Sequence, residues 1–243
     1  MGRMGRVVRP RGGGYKLTLQ FQPNRNMPDF AARRFNMVES QVRANDVTDP
    51  RIAAAMREVP REVFVPSAKR AISYADAAIE VARGRYLLEP RTFAKLLQLA
   101  AVGAADSVLD VACATGYSTA VLARLARNVI GLEQDADLLR AACDTVPASG
   151  AVNATLVQGS LVDGFPGKAP YDVIFVNGAV EKIPEGLLAQ LAEGGRLVTI
   201  LAQGDVRRAC LYLREHGRTG HRFAFDAPAP LLAGFRESVG FVF

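Results

Sequence analysis

The chain has 243 residues, with 30 lysines and arginines against 24 aspartates and glutamates, so its formal net charge is +6. Such a charge by itself suggests a protein that binds nucleic acid. The whole excess nevertheless falls within residues 1–26, which contain six basic residues and no acidic one. The rest of the chain is formally neutral, so its charge does not favour nucleic acid as a partner.

Hydrophobic residues make up 49% of the chain and charged residues 22%, which is typical of a soluble globular protein. The three cysteines are odd in number and far apart, so they predict no disulfide framework or thiolate metal site and favour a cytoplasmic location. The two histidines, His216 and His221, lack the spacing of a zinc site. No apolar run approaches the roughly 18 residues of a membrane helix. We therefore expect neither a metal nor a membrane contact.

Residues 1–28 are rich in glycine and arginine and show no apolar periodicity, which predicts a basic, disordered extension. A single domain is predicted over residues 29–243, and its first part, 29–102, is expected to be mainly helical. Phe35 and Val38 begin a series of residues at the spacing of a helical face. Further along, the pattern predicts a helix over 49–59, an irregular stretch over 67–88, and a helix from near Pro90 that buries Phe93, Leu96, Leu97 and Ala100.

After Gly103, strands alternate with helices, which predicts an open, mostly parallel, doubly wound Rossmann-like sheet over the core, residues 103–204. The apolar run 171–177 is typical of a strand that is covered on both faces. Residues 205–243 are expected to add antiparallel strands at the edge of the sheet. The other predicted strands are 107–112, 128–133, 153–158 and 196–201, and the predicted helices are 119–126, 135–145 and 184–191.

Candidate ligand-binding residues stand where the first strands of this core end, because ligands of such sheets bind beyond the carboxyl ends of the strands. The first strand leads into the small-residue loop 110–117, which lets backbone approach a ligand. The second strand ends in Glu133, whose carboxylate can accept both hydroxyl groups of a ribose. With Ser160 after the third strand, the pattern favours a ligand that contains a nucleoside. NAD is less favoured, because the chain has no full GxGxxG motif.

The loop 108–117 followed by Glu133 resembles the cofactor loop and ribose-binding acid of class I S-adenosylmethionine-dependent methyltransferases. A narrower resemblance, to the protein-L-isoaspartate O-methyltransferase family, covers about residues 35–243. It implies the methyltransferase fold, S-adenosyl-L-methionine as cofactor, and an isoaspartyl residue of a damaged protein or peptide as substrate. The segments that carry it are 37–43, 47–51, 56–66, 169–174 and 188–198.

Carried over by position, the resemblance implies a role for each strand end. The loop 112–117 would wrap the methionine part of the cofactor, Glu133 would hold the ribose, and Asn177 would lie under the methyl-donor end. Two glycines of the family are alanines here, Ala112 and Ala114. The implied cofactor-binding residues are Asp110, Ala112, Cys113, Ala114, Thr115, Gly116, Tyr117, Glu133, Asn177, and, beside the adenine, Ser160 and Leu161, with Ser160 in place of the family's aspartate.

The largest departure from the family lies in the substrate loop, where the family's serine corresponds to Leu88. The resemblance implies that this serine helps to position the acceptor carboxylate. Tyr86, Arg91 and Arg85 are candidate catalytic residues in its place, because arginine can bind a carboxylate in a two-pronged contact. The departure leaves two alternatives open: a methyltransferase of the same fold with a different acceptor, and a catalytically inactive homologue that binds the cofactor.

Overall fold

The structure is a computed structural model and describes residues 29–235. The predicted extension, 1–28, and residues 236–243 lie outside the described range. Between residues 29 and 235 there is no helix with the length and apolar character that a bilayer crossing requires.

The N-terminal part is helical, as predicted. Helix α1 spans Phe30–Met37 and continues through a π-helical turn, Val38–Val42. Val38 is fully buried, but Phe35 is 53% exposed and stacks on the guanidinium of Arg57. The apolar spacing therefore marks the helix correctly, but it does not show which of its members is covered.

Helix α2, Pro50–Glu58, begins where the sequence predicts it. The side chain of Asp49 accepts a hydrogen bond from the first turn, and Pro50 occupies the first helical position. The chain then forms short 3-10 turns over Arg61–Phe64 and Ser67–Ile72.

Residues 67–88, predicted to be irregular, contain an antiparallel hairpin. Its strands are β1, Ile79–Ala82, and β2, Arg85–Leu87. Strands of three and four residues are too short to show a clear alternation, so the prediction missed them. Helix α3, Pro90–Ala100, follows and buries the four residues predicted for its inner face.

Seven further strands form one sheet. In chain order they are β3 (Ser107–Val111), β4 (Asn128–Glu133), β5 (Ala154–Gln158), β6 (Tyr171–Val180), β7 (Leu191–Gln203), β8 (Val206–Glu215) and β9 (Arg218–Asp226), with α4 (Tyr117–Leu122), α5 (Ala136–Ala148) and α6 (Glu185–Leu188) between them. Their order in the sheet is β5-β4-β3-β6-β7-β8-β9. Strands β3 to β7 are parallel to one another, and β8 pairs antiparallel with both β7 and β9. The predicted mostly parallel Rossmann-like sheet with a C-terminal antiparallel hairpin is confirmed.

The crossover before β7 differs from the prediction of a helix over 184–191 and a strand from Arg196. Helix α6 ends at Leu188, and β7 already begins at Leu191. The pair of glycines lies inside β7, where the register with β6 shifts. A Cβ on Gly195 would lie 2.8 Å from the carbonyl oxygen of Ala192, so this irregular stretch requires glycine.

Apolar clusters cover both faces of the sheet. One unites the inner faces of α2, α3, α4 and α5 with strand residues such as Val108, and the other includes Leu109 and Leu187 of α6. The chain order of the strands reverses between β3 and β6. The crevice at the carboxyl ends of these strands is therefore the expected place for a ligand.

Candidate active site

The loop between β3 and α4 is shaped by three residues with positive φ. These are Ala112 at 63°, Ala114 at 51° and Gly116 at 92°. A Cβ on Gly116 would lie 2.3 Å from a methyl carbon of Val146 in α5, so only glycine fits there. The two alanines adopt a backbone conformation that costs residues with a Cβ about 1–2 kcal/mol each.

Glu133, the last residue of β4, faces this loop and is fully buried. Its Oε1 accepts hydrogen bonds from the backbone amides of Gln134 at 2.8 Å and Asp135 at 3.0 Å. Its Oε2 accepts a hydrogen bond from the amide of Ala114 at 2.8 Å. The local backbone thus fixes the carboxylate at the end of the strand.

Arg85 of the β1–β2 hairpin binds the same carboxylate through both of its terminal nitrogens. Nη1 donates to Oε1 of Glu133 and Nη2 to Oε2, each at 2.6 Å. The arginine side chain is 12% exposed, so the ion pair is almost fully desolvated. A carboxylate has about four lone-pair positions. Five N–H groups already donate to Glu133, which leaves no position for a further donor while Arg85 stays.

Asp110, near the end of β3, is buried and organises the floor of the crevice. Its Oδ2 accepts hydrogen bonds from the hydroxyls of Ser118 at 2.7 Å and Thr119 at 2.6 Å. Its Oδ1 accepts a hydrogen bond from the amide nitrogen of Asn177 at 2.6 Å. Burial raises the pKa of Asp110 from 3.8 to about 6, against the opposing effect of these three donors, and the charge of Glu133 adds to the rise.

We expect Asp110 to make the stability of the fold depend on pH. Because its folded-state pKa is raised, the native state holds more protons than the unfolded state between pH 4 and 6, and the free energy of unfolding falls as the pH rises through that window. The shift from 3.8 to about 6 corresponds to roughly 3 kcal/mol. Urea titrations give the free energies of unfolding of the parent chain and of Asp110→Asn, and the difference between the two should change by about this amount between pH 4 and 6. An unchanged slope in the variant would assign the titration to another group.

A narrow cavity of about 10 Å³ lies between the loop, the hairpin and the end of β6. Its walls bring together many of the residues predicted for the cofactor site or the substrate loop, namely Tyr86, Leu88, Ala112, Cys113, Ala114, Tyr117 and Asn177. A volume of this size holds about one water molecule. The crevice is therefore closed in this structure, and a larger ligand requires a wall to move.

Other predicted residues are not among those that line this cavity. Arg91 is bound to Glu89 at 3.1 Å, and the hydroxyl of Thr115 donates to the carbonyl of Phe64 at 2.6 Å. Ser160 follows β5 and is half-buried. Leu161 is buried within the apolar cluster that contains α6.

Cys113 and Tyr117 are in the neutral form at the cavity. Burial raises the pKa of the Cys113 thiol well above its usual value, and the charges of Asp110 and Glu133 add to this effect. Burial also raises the pKa of Tyr117. Neither side chain provides an anionic nucleophile at neutral pH.

Arg61 also lines the cavity, and the sequence pattern did not single it out. It is fully buried, its Nε donates to the carbonyl of Ser73 at 2.8 Å, and its Nη2 donates to the carbonyl of Leu88 at 2.8 Å. Its guanidinium carbon lies 4.8 Å from the ring centre of Tyr117. Arginine is rarely buried without a partner. Nothing in the local sequence shows this burial, because the covering residues come from other segments.

The sheet order, the small-residue loop and the buried acid at the end of β4 define the class of Rossmann-like methyltransferase domains. Residues 33–219 match the model of the family described as Protein-L-isoaspartate(D-aspartate) O-methyltransferase. The chain belongs to this family.

Similar proteins agree with this assignment. A protein-L-isoaspartate O-methyltransferase of Methanoculleus marisnigri is 33% identical over 185 residues, which are 76% of this chain and 84% of the relative. A second, from Anaeromyxobacter sp., is 38% identical over 174 residues, 72% of this chain and 71% of the relative. Among solved structures, a protein-L-isoaspartate O-methyltransferase is 25% identical with a TM-score of 0.73, and the match covers 84% of this chain and 66% of that chain.

The same fold occurs in a Plasmodium falciparum protein that was solved in complex with S-adenosyl-L-homocysteine. It is 19% identical, with a TM-score of 0.72, and the match covers 82% of this chain and 97% of that chain.

Proposed function

We propose that the protein is an S-adenosyl-L-methionine-dependent carboxyl O-methyltransferase that methylates isoaspartyl residues of damaged proteins or peptides. The observation that carries the proposal is the buried Glu133 at the end of β4, which faces the loop of residues 112–116. Family membership supports the same activity. The proposed partner is a protein or peptide with an isoaspartyl residue.

The residues of the crevice fit the cofactor. Glu133 offers a fixed carboxylate for the ribose, and the small side chains of the loop of residues 112–117 let the backbone approach the ligand. Asn177, held by Asp110, borders the cavity where the methyl group would be presented. We propose that Ser160 and Leu161 border the adenine. The fit requires that Arg85 leaves Glu133. Three backbone N–H groups then remain on the carboxylate, and one of its about four acceptor positions opens for a ribose hydroxyl.

The bound cofactor supplies a methyl group on a positively charged sulfur; a carboxylate oxygen takes it to form a neutral ester, while the bonding electron pair stays on the sulfur. A carboxylate is ionised at pH 7, so the protein needs no general base. The residues of the cavity orient the acceptor and exclude water. The neutral Cys113 is consistent with a site that forms no covalent intermediate.

The three candidate catalytic residues differ in what they can do from their present positions. Tyr86 lines the cavity and is the candidate nearest to the proposed reaction. Arg85 and Arg91 already bind carboxylates of the protein, so each would have to exchange its partner to bind the substrate. We also propose a cytoplasmic location, which the free cysteines support.

Transfer of a labelled methyl group to a peptide with one isoaspartyl residue tests the proposal. The matched peptide with an ordinary aspartyl residue in the same sequence is the control. We expect base-labile label on the isoaspartyl peptide only. Equal labelling of both peptides, or none of either, would contradict the proposed substrate.

The alanines of the cofactor loop lead to a further prediction. Glycine adopts the positive φ of Ala114 without strain. It also makes the unfolded chain more flexible, which lowers the free energy of unfolding by about 0.4–1 kcal/mol. We expect Ala114→Gly to raise the free energy of unfolding by about 0.5–1 kcal/mol in urea titrations. Since Ala114 lines the cavity, the variant should also bind S-adenosylhomocysteine more tightly in calorimetry.

Ala101→Gly is the matched control for this variant. Ala101 has a φ of 47° at the exposed end of α3. It should show a similar gain in stability with unchanged ligand affinity. A change in affinity in both variants would mean that the effect does not arise in the cofactor loop.

A further inference from the structure

Arg61 is a fully buried cation in the wall of this cavity. Among the described residues 29–235 it takes part in no ion pair. Its Nε and Nη2 bind backbone carbonyls, whereas Nη1 is buried and has no hydrogen-bond partner in the described part of the chain. Burial lowers the pKa of Arg61 from its usual value. A buried charge in such a position is costly unless an anion completes it.

The unpartnered nitrogen belongs to a side chain that lines the cavity of the candidate active site. The same cavity is bordered by Asn177, at the proposed methyl-donor end, and by Leu88, at the position of the family's substrate-loop serine. The hydroxyl of Tyr117, which also lines the cavity, is buried and has no hydrogen-bond partner in the structure. The two side chains are neighbours, since the guanidinium carbon of Arg61 lies 4.8 Å from the ring centre of Tyr117 and the guanidinium interacts with its hydroxyl. Their unsatisfied groups therefore belong to one part of the cavity wall.

We propose that Arg61 binds the acceptor carboxylate of the substrate through Nη1. This role rests on the proposed carboxyl methyltransferase function. The carboxylate supplies the anion that the buried guanidinium lacks, and the hydrogen bond takes over the positioning role for which Leu88 has no hydroxyl. One carboxylate oxygen binds the guanidinium, and the other stays free to accept the methyl group. The ester product is neutral and loses the ion pair, so Arg61 favours the substrate over the product.

Entry of the carboxylate requires the cavity to widen. Tyr86 and Leu87 form part of its wall and belong to β2, the strand that also carries Arg85. Release of Arg85 from Glu133 removes the ion pair that ties this strand to the cofactor site. Binding of cofactor and binding of the carboxylate are thus expected to favour the same open position of the hairpin.

The test compares two peptides that differ only in the charge of the acceptor. One contains isoaspartate and the other isoasparagine, and their dissociation constants are measured in the presence of S-adenosylhomocysteine. The parent protein should prefer the charged peptide by about 30-fold or more, as expected for a buried charge pair. Arg61→Met should lose this preference, and Arg61→Lys, which keeps the charge but not the forked contacts to the two carbonyls, should retain part of it.

A purely structural role for Arg61 makes a different prediction. If Arg61 only braces the substrate loop through Leu88, Arg61→Met weakens both peptides equally and the preference remains, which would overturn the proposal. Arg196→Met is the control, because Arg196 also binds carbonyl groups at the end of α3 but lies toward the amino ends of the parallel strands, where it pairs with Asp106. Its preference should equal that of the parent protein.

A measurement on the parent protein keeps the proposal testable if the Arg61 variants do not fold. Acetate at constant ionic strength should compete with the isoaspartyl peptide and leave the isoasparaginyl peptide unaffected, whereas acetamide should affect neither. Absence of competition by acetate would contradict the role of Arg61. If the parent protein transfers no methyl group and binds neither peptide, the proposed function fails. The carboxylate site at Arg61 is then tested separately by thermal unfolding: acetate should raise the melting temperature and acetamide should not, and no effect of acetate would contradict the site.

Discussion

Replacing Arg85 by glutamine is expected to tighten the binding of S-adenosylhomocysteine by about tenfold or more. The ribose hydroxyls can bind Glu133 only in the state from which Arg85 has withdrawn, and the apparent affinity is reduced by the small population of that state. Hydrogen bonds to charged groups contribute about 1.5–3 kcal/mol each, and 1.4 kcal/mol is already a factor of ten. Isothermal calorimetry on the parent chain and the variant measures the difference directly.

Lys69→Gln is the matched control for Arg85→Gln. Lys69 also anchors the hairpin, through the carbonyl and the carboxylate of Glu80, but it does not contact Glu133. An equal gain in affinity in both variants would mean that general loosening of the hairpin, not release of the carboxylate, is responsible. Arg85→Gln should also lower the free energy of unfolding by roughly 3 kcal/mol, because Glu133 stays buried without its cation.

Replacing Glu133 by glutamine should weaken the binding of S-adenosylhomocysteine by about 100-fold or more. The variant keeps the size of the side chain but loses the charge and one acceptor, so the ribose loses a strong partner. The amide group of the new side chain would also face backbone N–H groups that now donate to the carboxylate. We expect methyl transfer to fall in parallel. An affinity within a few-fold of the parent value would show that the ribose binds elsewhere.

A variant that carries both Arg85→Gln and Glu133→Gln separates loss of the ligand contact from loss of the ion pair. Glu133→Gln alone leaves Arg85 nearly buried without an anion, whereas the double variant removes both charges. The stability losses of the two single variants should therefore not add, with a coupling of about 1–3 kcal/mol in urea titrations. Additive losses would indicate that the two side chains are not paired in solution. The weak affinity of Glu133→Gln should persist in the double variant, because the carboxylate is still absent.

Much of the fold could be predicted because its signals are local. The helix from Pro50 follows from Asp49 and the proline, and the apolar run at residues 171–177 indicated a strand covered on both faces. The boundaries near Leu191 were wrong, because the two glycines that suggested a helix end instead lie inside a strand with a shifted register. Phe35 has the helical spacing of the buried Val38 but is 53% exposed, because spacing does not show which segment covers a residue.

The candidate site was predictable to the extent that its residues follow strand ends. Glu133 and the loop of residues 112–116 could be found in this way, because parallel strands bring their carboxyl ends to one edge of the sheet. Their roles toward the cofactor remain predictions, as do those of Ser160 and Leu161. The three hydrogen bonds that side chains donate to Asp110 could not be predicted, because one of them comes from Asn177 in a strand 67 residues away.

The sequence by itself determined the family, the order of strands and helices in the core, and the acid that ends β4. Only the tertiary structure decided which charges meet. Arg85 pairs with Glu133 across 48 residues of sequence. Arg61 is buried against the carbonyl of Leu88, 27 residues away, with no anion from residues 29–235 beside it. Periodicity and motifs report how a segment presents its own faces. They do not report which distant segment covers a face, and that packing determines whether an arginine is solvated, paired or left ready for a ligand.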